Sequence, residues 1–161
     1  MDRSAIEQYE TGGEKLKLAI RGLTREDLLA LPAPQGDVGK WSIQQVVLHL
    51  ADCESVFADR IKRVIAEDNP TLLAFDENKW SAALHYNQQS ADKAADLLDL
   101  TRRQLAAVLK HLPGEAFNRT GTHSQAGKIT LTDIIIKANN HFEHHLAFIH
   151  KKRAKMGKEM W

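Results

Sequence analysis

Apolar residues recur at intervals of three and four along almost the whole chain, the spacing of helices with one buried face. Ile6, Leu16, Ala19 and Ile20 mark the first such segment, over roughly residues 3–22. Gly12 and Gly13 fall in its middle, and each weakens a helix by about 1 kcal/mol relative to alanine. TREDLLAL predicts one short helical turn, and the proline- and glycine-rich PAPQGDVGK a loop. Ser42 with Gln45 three residues on has the form of a capping box. It opens a second long helix whose stripe is Ile43, Val46, Val47, Leu50, Phe57, Ile61 and Val64, ending before Asn69-Pro70. After PTLLAFDEN a third helix is expected over about 78–111, carrying Trp80, Leu84, Ala91, Ala95, Leu98, Leu105 and Leu109 and stopped by Pro113-Gly114. Residues 113–129 lack a period and read as the longest irregular segment, after which Thr130 with Asp133 caps a fourth helix to about 155. Four long helices, little strand signal and no dividing linker predict an all-α four-helix bundle forming a single domain over 1–161.

Composition narrows the class. The 161 residues are 43% hydrophobic and 27% charged, ordinary for a globular domain with a substantial core. A net charge of +1 gives no electrostatic ground for a nucleic-acid or membrane-surface partner, and no recognition-helix pattern supplies one. The one basic cluster, Lys151, Lys152, Arg153, Lys155 and Lys158, stands where cations complement the dipole of a helix C-terminus. Cys53 is the single cysteine, which suits a reducing compartment. The polar start MDRSAIEQYE is no signal peptide, and no apolar run approaches the roughly 18–20 residues that span a bilayer. A cytoplasmic location is expected.

Candidate chemistry concentrates in NNHFEHHLAFIHKKR, which holds His141, His144, His145 and His150. The stripe of that helix is Leu131, Ile134, Ile135, Ala138, Phe142 and Ile149. At about 100° per residue His145 falls within it and His141 at its side, while His144 and His150 lie on the flanks. Residues at i and i+4 stand one turn apart on one face, so His141 and His145 can chelate one ion. An open catalytic site needs a third ligand. His49, His85, His111 and His123 are available, with His49 at the edge of the second helix's stripe and His111 placed as a dipole partner. Phe142, not glutamate, follows His141, so the H-E-x-x-H zincin pattern is absent. Cys53, one turn after His49, is either a further soft ligand or, the commoner case, a small buried apolar residue.

AIRGLTREDLLALPAPQGDVGKWSIQQVVLHLADCE (19–54), FDENKW (75–80) and GKITLTDIIIKANNHFEHHLAFI (127–149), in this order, resemble the DinB/YfiT-like superfamily. The resemblance implies a four-helix bundle with a three-histidine divalent metal site, zinc or nickel, whose ligands carry over to His49, His141 and His145. It also implies either a transferase dependent on a low-molecular-weight thiol, the reading expected first, or a metal-dependent hydrolase. A third possibility is a bundle in which the metal only ties helices together. Dimers are common among proteins of this kind, so a homodimer is expected. For a hydrolase, Glu54, Asp52 and His123 are candidate bases near the metal. For a thiol transferase, Arg119, His123 and Lys128, with Trp80 and Tyr86, are candidates to line the mouth.

Overall fold

The computed structural model describes residues 3–31 and 38–159; the loop expected at 32–40 therefore lies largely outside the described residues, as do both ends of the 1–161 domain. Four long helices make the bundle: α1 (Arg3–Ile20), α3 (Ile43–Ala66), α5 (Ala91–His111) and α6 (Leu131–Lys155), with a short α2 (Arg25–Leu29) between the first two. Helices α1 and α3 each pack on both α5 and α6. Both predicted capping boxes are made. Ser42 Oγ accepts from the Gln45 amide at 3.2 Å while Gln45 Oε1 accepts from the Ser42 amide at 3.0 Å. Thr130 and Asp133 exchange the same pair of bonds, and Thr24 with Asp27 does so at the start of α2. Each satisfies amides that have no intrahelical acceptor.

The expected third helix is broken. A short α4 (Glu77–Ala83) ends at Leu84, His85 adopts the left-handed conformation at φ 52°, and a 3-10 turn at Tyr86–Gln88 precedes α5. The physical cause is a set of contacts made from α3. Tyr86 is buried, and the buried Gln44 amide donates to the carbonyls of Tyr86 and Gln89 at 3.0 and 2.6 Å. Ser90 then restarts the helix by capping the Lys93 amide. Leu84, placed by periodicity on a buried face, is 44% exposed.

The segments expected to be irregular contain a small sheet. Strand β1 (Thr71–Leu72) pairs parallel with β2 (Thr120–His123), which pairs antiparallel with β3 (Gly127–Thr130). Gly121 lets β1 close on β2, since a Cβ there would stand 2.9 Å from Leu72 Cδ1. Arg119 ties the sheet to the end of α3, donating to the carbonyls of Val64 and Glu67 at 2.8 and 2.7 Å.

Gly12 and Gly13 do not interrupt α1. A Cβ on Gly12 would lie 2.2 Å from Arg102 Nη1, and one on Gly13 2.3 Å from the Asp99 Cα. The glycines therefore let α5 approach. Arg102 enters the bundle there, 2% exposed, donating from Nε to Glu54 Oε2 at 2.7 Å. Tyr9 donates its hydroxyl to the other oxygen of Glu54. The guanidinium lies over the rings of Tyr9 and Phe142 at 4.7 and 4.4 Å. Apolar clusters flank this layer along the bundle, one around Leu16, Val47 and Leu98, the other around Ile61, Leu105 and Ile135. At the C-terminus, the basic cluster does more than complement a dipole. Lys152 is buried and donates to the Val38 carbonyl, and Arg153 donates to the carbonyls of Ala19 and Arg21 at 3.0 Å each.

Candidate metal centre

The packing of α3 on α6 brings three imidazoles together. His49 is fully buried in α3; its Nε2 is 3.0 Å from His141 Nε2. The ring centroids of His49, His141 and His145 form a triangle of sides 5.0, 4.6 and 4.6 Å. Burial, with the neighbouring imidazoles adding to it, lowers His49 and His145 to about 3 and His141 to about 4. All three rings are thus neutral at pH 7 and each carries a nitrogen lone pair. His145 Nδ1 is buried with no hydrogen-bond partner among the described residues, an arrangement that an unpaired polar atom does not favour. Cys53 Sγ is 3.6 Å from both nitrogens of His49, and the donor atoms of His49, Cys53 and His141 all lie within 4.8 Å of one another. Two neutral imidazole nitrogens and a sulfur within 4.8 Å of one another, with the His145 ring against them, form a donor set suited to a divalent transition metal.

Two aromatic walls hold these rings. Trp41 lies edge-on to His49 at 4.8 Å and stacks on His145 at 6.4 Å. Phe57 leans on His141 at 6.0 Å. The start of α4 supplies a carboxylate: Glu77 Oε2 is 3.7 Å from His49 Nε2, and its side chain is 53% exposed. Asp76 fixes that helix start by accepting from the amides of Asn78 and Lys79 at 3.0 and 3.1 Å. Asp52, three residues after His49 on α3, accepts from the Tyr86 hydroxyl. Burial raises the Cys53 thiol well above its ordinary value, and the carboxylates of Glu77, Asp52 and Glu54 raise it further. Cys53 is accordingly a buried, protonated thiol in the metal-free protein.

The other residues singled out by sequence lie elsewhere. Glu54, a candidate base, is 2% exposed and is held by Arg102 and Tyr9 in the bundle core. Trp80 is half-buried on α4 and packs on Phe75 at 4.6 Å. His123 sits on β2 and lines a separate small cavity with Phe57, Arg60 and Lys137. His144 is exposed, its ring against Phe148. His85 is exposed at the break before α5, and His111 bonds its own helix at the Ala107 carbonyl, 2.7 Å away. Sequence reasoning passed over Glu77. Its signal was Asp76, an N-cap residue inside the quoted FDENKW, which starts a helix one residue before the carboxylate.

Residues 8–149 match the DinB superfamily, and the chain belongs to it. Among its relatives, YfiT of Bacillus subtilis is 29% identical over 153 residues, 94% of this chain and 84% of YfiT. A protein of Oceanobacillus iheyensis named "Putative metal-dependent hydrolase OB0413" is 27% identical over 144 residues, 89% of this chain and 80% of that one. The YfiT structure, described as that of a probable metal-dependent hydrolase with an unusual four-helix bundle topology, matches with a TM-score of 0.86 over 96% of this chain and 86% of its own. A mycothiol-dependent maleylpyruvate isomerase shares the fold at 10% identity, with a TM-score of 0.69 over 92% of this chain and 61% of the isomerase.

Proposed function

We propose that the protein is a metal-dependent hydrolase in which His49, His141 and His145 hold a divalent cation, zinc or nickel, and Glu77 is the general base. The observation that carries this reading is the half-exposed Glu77 carboxylate, 3.7 Å from the buried His49 Nε2. The names given to YfiT and to the Oceanobacillus protein support the same reading. His145 is taken as third ligand because its Nδ1 is buried without a partner among the described residues.

A divalent ion held there supplies Lewis acidity, polarising a substrate carbonyl or phosphoryl oxygen and acidifying water. Glu77 takes a proton from the attacking water at Oε2 and returns it to the leaving group. Trp41, stacked on His145, and Phe57, tilted against His141, keep those rings in place. The thiol-transfer reading places Arg119, His123 and Lys128 at the mouth. Arg119, one of the residues expected there, is instead committed to the carbonyls of Val64 and Glu67.

The test uses untagged protein, with metal measured by inductively coupled plasma mass spectrometry in wild type, His49→Ala and His145→Ala, and helicity followed by circular dichroism. Stoichiometric zinc or nickel in wild type, lost in both variants with helicity retained, is the expected result. Esters, amides and thiol acceptors are then screened beside Glu77→Gln, which should keep its metal and lose hydrolysis. A wild type that no added zinc or nickel can load would overturn the reading. Thiol transfer without hydrolysis would replace it with the transferase.

A further inference from the structure

Beside the histidine cluster, α3, β2 and α6 border a small cavity with no carboxylate in its lining. It is lined by Arg60, His123 and Lys137, with Phe57, Leu72, Ile129 and Ile134 as apolar wall. The Arg60 guanidinium is fixed by one bond, Nη2 to the Leu73 carbonyl at 2.6 Å, while its Nε is buried with no partner among the described residues. His123 Nδ1 accepts from the amides of both Gln125 and Ala126 at 3.2 Å. That leaves the proton of the neutral ring on Nε2, as a donor. Lys137 is exposed and makes no ion pair within 4 Å among the described residues; Asp133, one turn earlier, bonds the cap at Thr130 and feels Lys137 only as a weaker, longer-range charge. Among the described residues no carboxylate lies within ion-pair distance of Arg60, His123 or Lys137.

Three donors without an acceptor, two of them cationic, are the complement of an oxyanion. We infer that this cavity is a binding site for the carboxylate of a small-molecule ligand, held by Arg60, His123 and Lys137. Size favours a carboxylate over a phosphate. The cavity measures about 30 Å³, room for two water-sized atoms at roughly 10–15 Å³ each. The apolar wall lowers the local dielectric and strengthens the pairing. The field is already registered by His123, which burial and then the charges of Arg60 and Lys137 hold below its usual value.

The position gives the site its meaning. Phe57 lines the cavity, carries the Arg60 guanidinium 5.9 Å from its ring, and also leans on the His141 ring. A ligand anchored by its carboxylate here therefore abuts the imidazole cluster. The substrate class is then a carboxylic acid bearing a second, scissile group. This last step rests on the histidine cluster being the reaction centre; carboxylate binding by the cavity does not.

The experiment records the imidazole 1H–15N spectrum of the protein during titration with sodium acetate, with inorganic phosphate and chloride as parallel arms. Acetate is expected to shift the His123 signals saturably. Binding should weaken at least about tenfold in Lys137→Ala, the loss of one charge-assisted hydrogen bond. Arg60→Gln should weaken it as much or more. The exposed Lys137 keeps the test independent of folding. His49→Ala, free of metal, should still bind acetate, so failure of the metal reading and failure of this one are separable. An unsaturable response, equal affinity in wild type and both variants, or phosphate tighter than acetate would overturn the assignment. For the substrate role, an ester bearing a carboxylate should show a lower KM than its neutral analogue in wild type, and Lys137→Ala should erase that preference. A preference unchanged by Lys137→Ala would overturn that role.

Discussion

The layer formed by Tyr9, Glu54 and Arg102 allows a quantitative test of what holds the bundle together beneath the site. Both charges are 2% exposed and meet at 2.7 Å. Arg102→Met leaves the Glu54 carboxylate buried with only the Tyr9 hydroxyl as partner. Stranding one charge of a buried pair destabilises by about 3–5 kcal/mol. The guanidinium also leaves two rings at 4.7 and 4.4 Å, whose attraction for a desolvated cation is worth about 1–2 kcal/mol and is partly replaced by the methionine thioether. A loss of about 4 kcal/mol is expected, a large share of the roughly 5–15 kcal/mol that stabilises a whole domain.

The decisive comparison is the combined Tyr9→Phe, Glu54→Leu and Arg102→Met variant. It removes both charges and the hydroxyl together, so no polar group is stranded. Apolar replacement of a complete buried pair is neutral or stabilising in favourable cases. The triple variant should therefore lie within about 1–2 kcal/mol of wild type, far from the sum of its single changes. Urea unfolding at pH 7, followed by circular dichroism with a common slope, measures each value. An Arg102→Met loss below about 1 kcal/mol, or a triple variant that is additive, would refute the argument that stranding a charge is what destabilises. The folded fraction of Glu54→Leu should still bind metal, because Glu54 faces Arg102 and Tyr9 and not the imidazoles.

Three further outcomes follow from the same geometry. His49, His141 and His145 titrate below the unfolded value of 6.5, so the unfolded chain binds more protons. Stability of the metal-depleted protein should fall as pH drops from about 6.5 towards 4, by at most about 1.4 kcal/mol per histidine per pH unit. His145→Leu should flatten the slope by one histidine's contribution, and unfolding midpoints in urea at pH 7, 6 and 5 test this. Glu77→Gln should lower hydrolytic kcat by about 10²–10⁴-fold with metal content unchanged, as read by kinetics beside elemental analysis. Gly13→Ala, which on an exposed helix would gain about 1 kcal/mol, should instead destabilise by about 1–3 kcal/mol. The new Cβ would meet the Asp99 backbone at 2.3 Å, where no flexible side-chain end can move aside; thermal unfolding measures the sign.

Much of the architecture was legible because it is written in local patterns. Helix starts at Ser42 and Thr130 depend on residues three apart, and both capping boxes form as their spacing predicts. The phase of α6 placed His141 and His145 inward from its stripe alone, and the structure sets both rings beside His49. The partner of that pair was less accessible. Four other histidines were available in principle, and only the family resemblance selected His49, since which helix faces α6 is not a local property. The short strands escaped notice for a related reason. Two to four residues cannot display a period, and β1 exists only because β2, nearly fifty residues later, pairs with it.

The choice between carboxylates shows where local reading must stop. Glu54 adjoins Cys53 in sequence and reads as a base beside the histidine cluster, yet successive residues on a helix point about 100° apart. One turn of α3 thus sends His49 and Cys53 towards α6 and its neighbour Glu54 towards Arg102 on α5. Glu77 is twenty-eight residues beyond His49 in sequence, but its carboxylate comes within 3.7 Å of that imidazole. What delivers it is the break in the expected third helix. An unbroken helix over 78–111 would project its first turns along the α5 axis. The left-handed His85 and the buried Tyr86, held by Gln44 and Asp52 of α3, instead return α4 to α3. The contacts that break the helix come from the same helix that carries His49, so the carboxylate and the imidazole are positioned by one element.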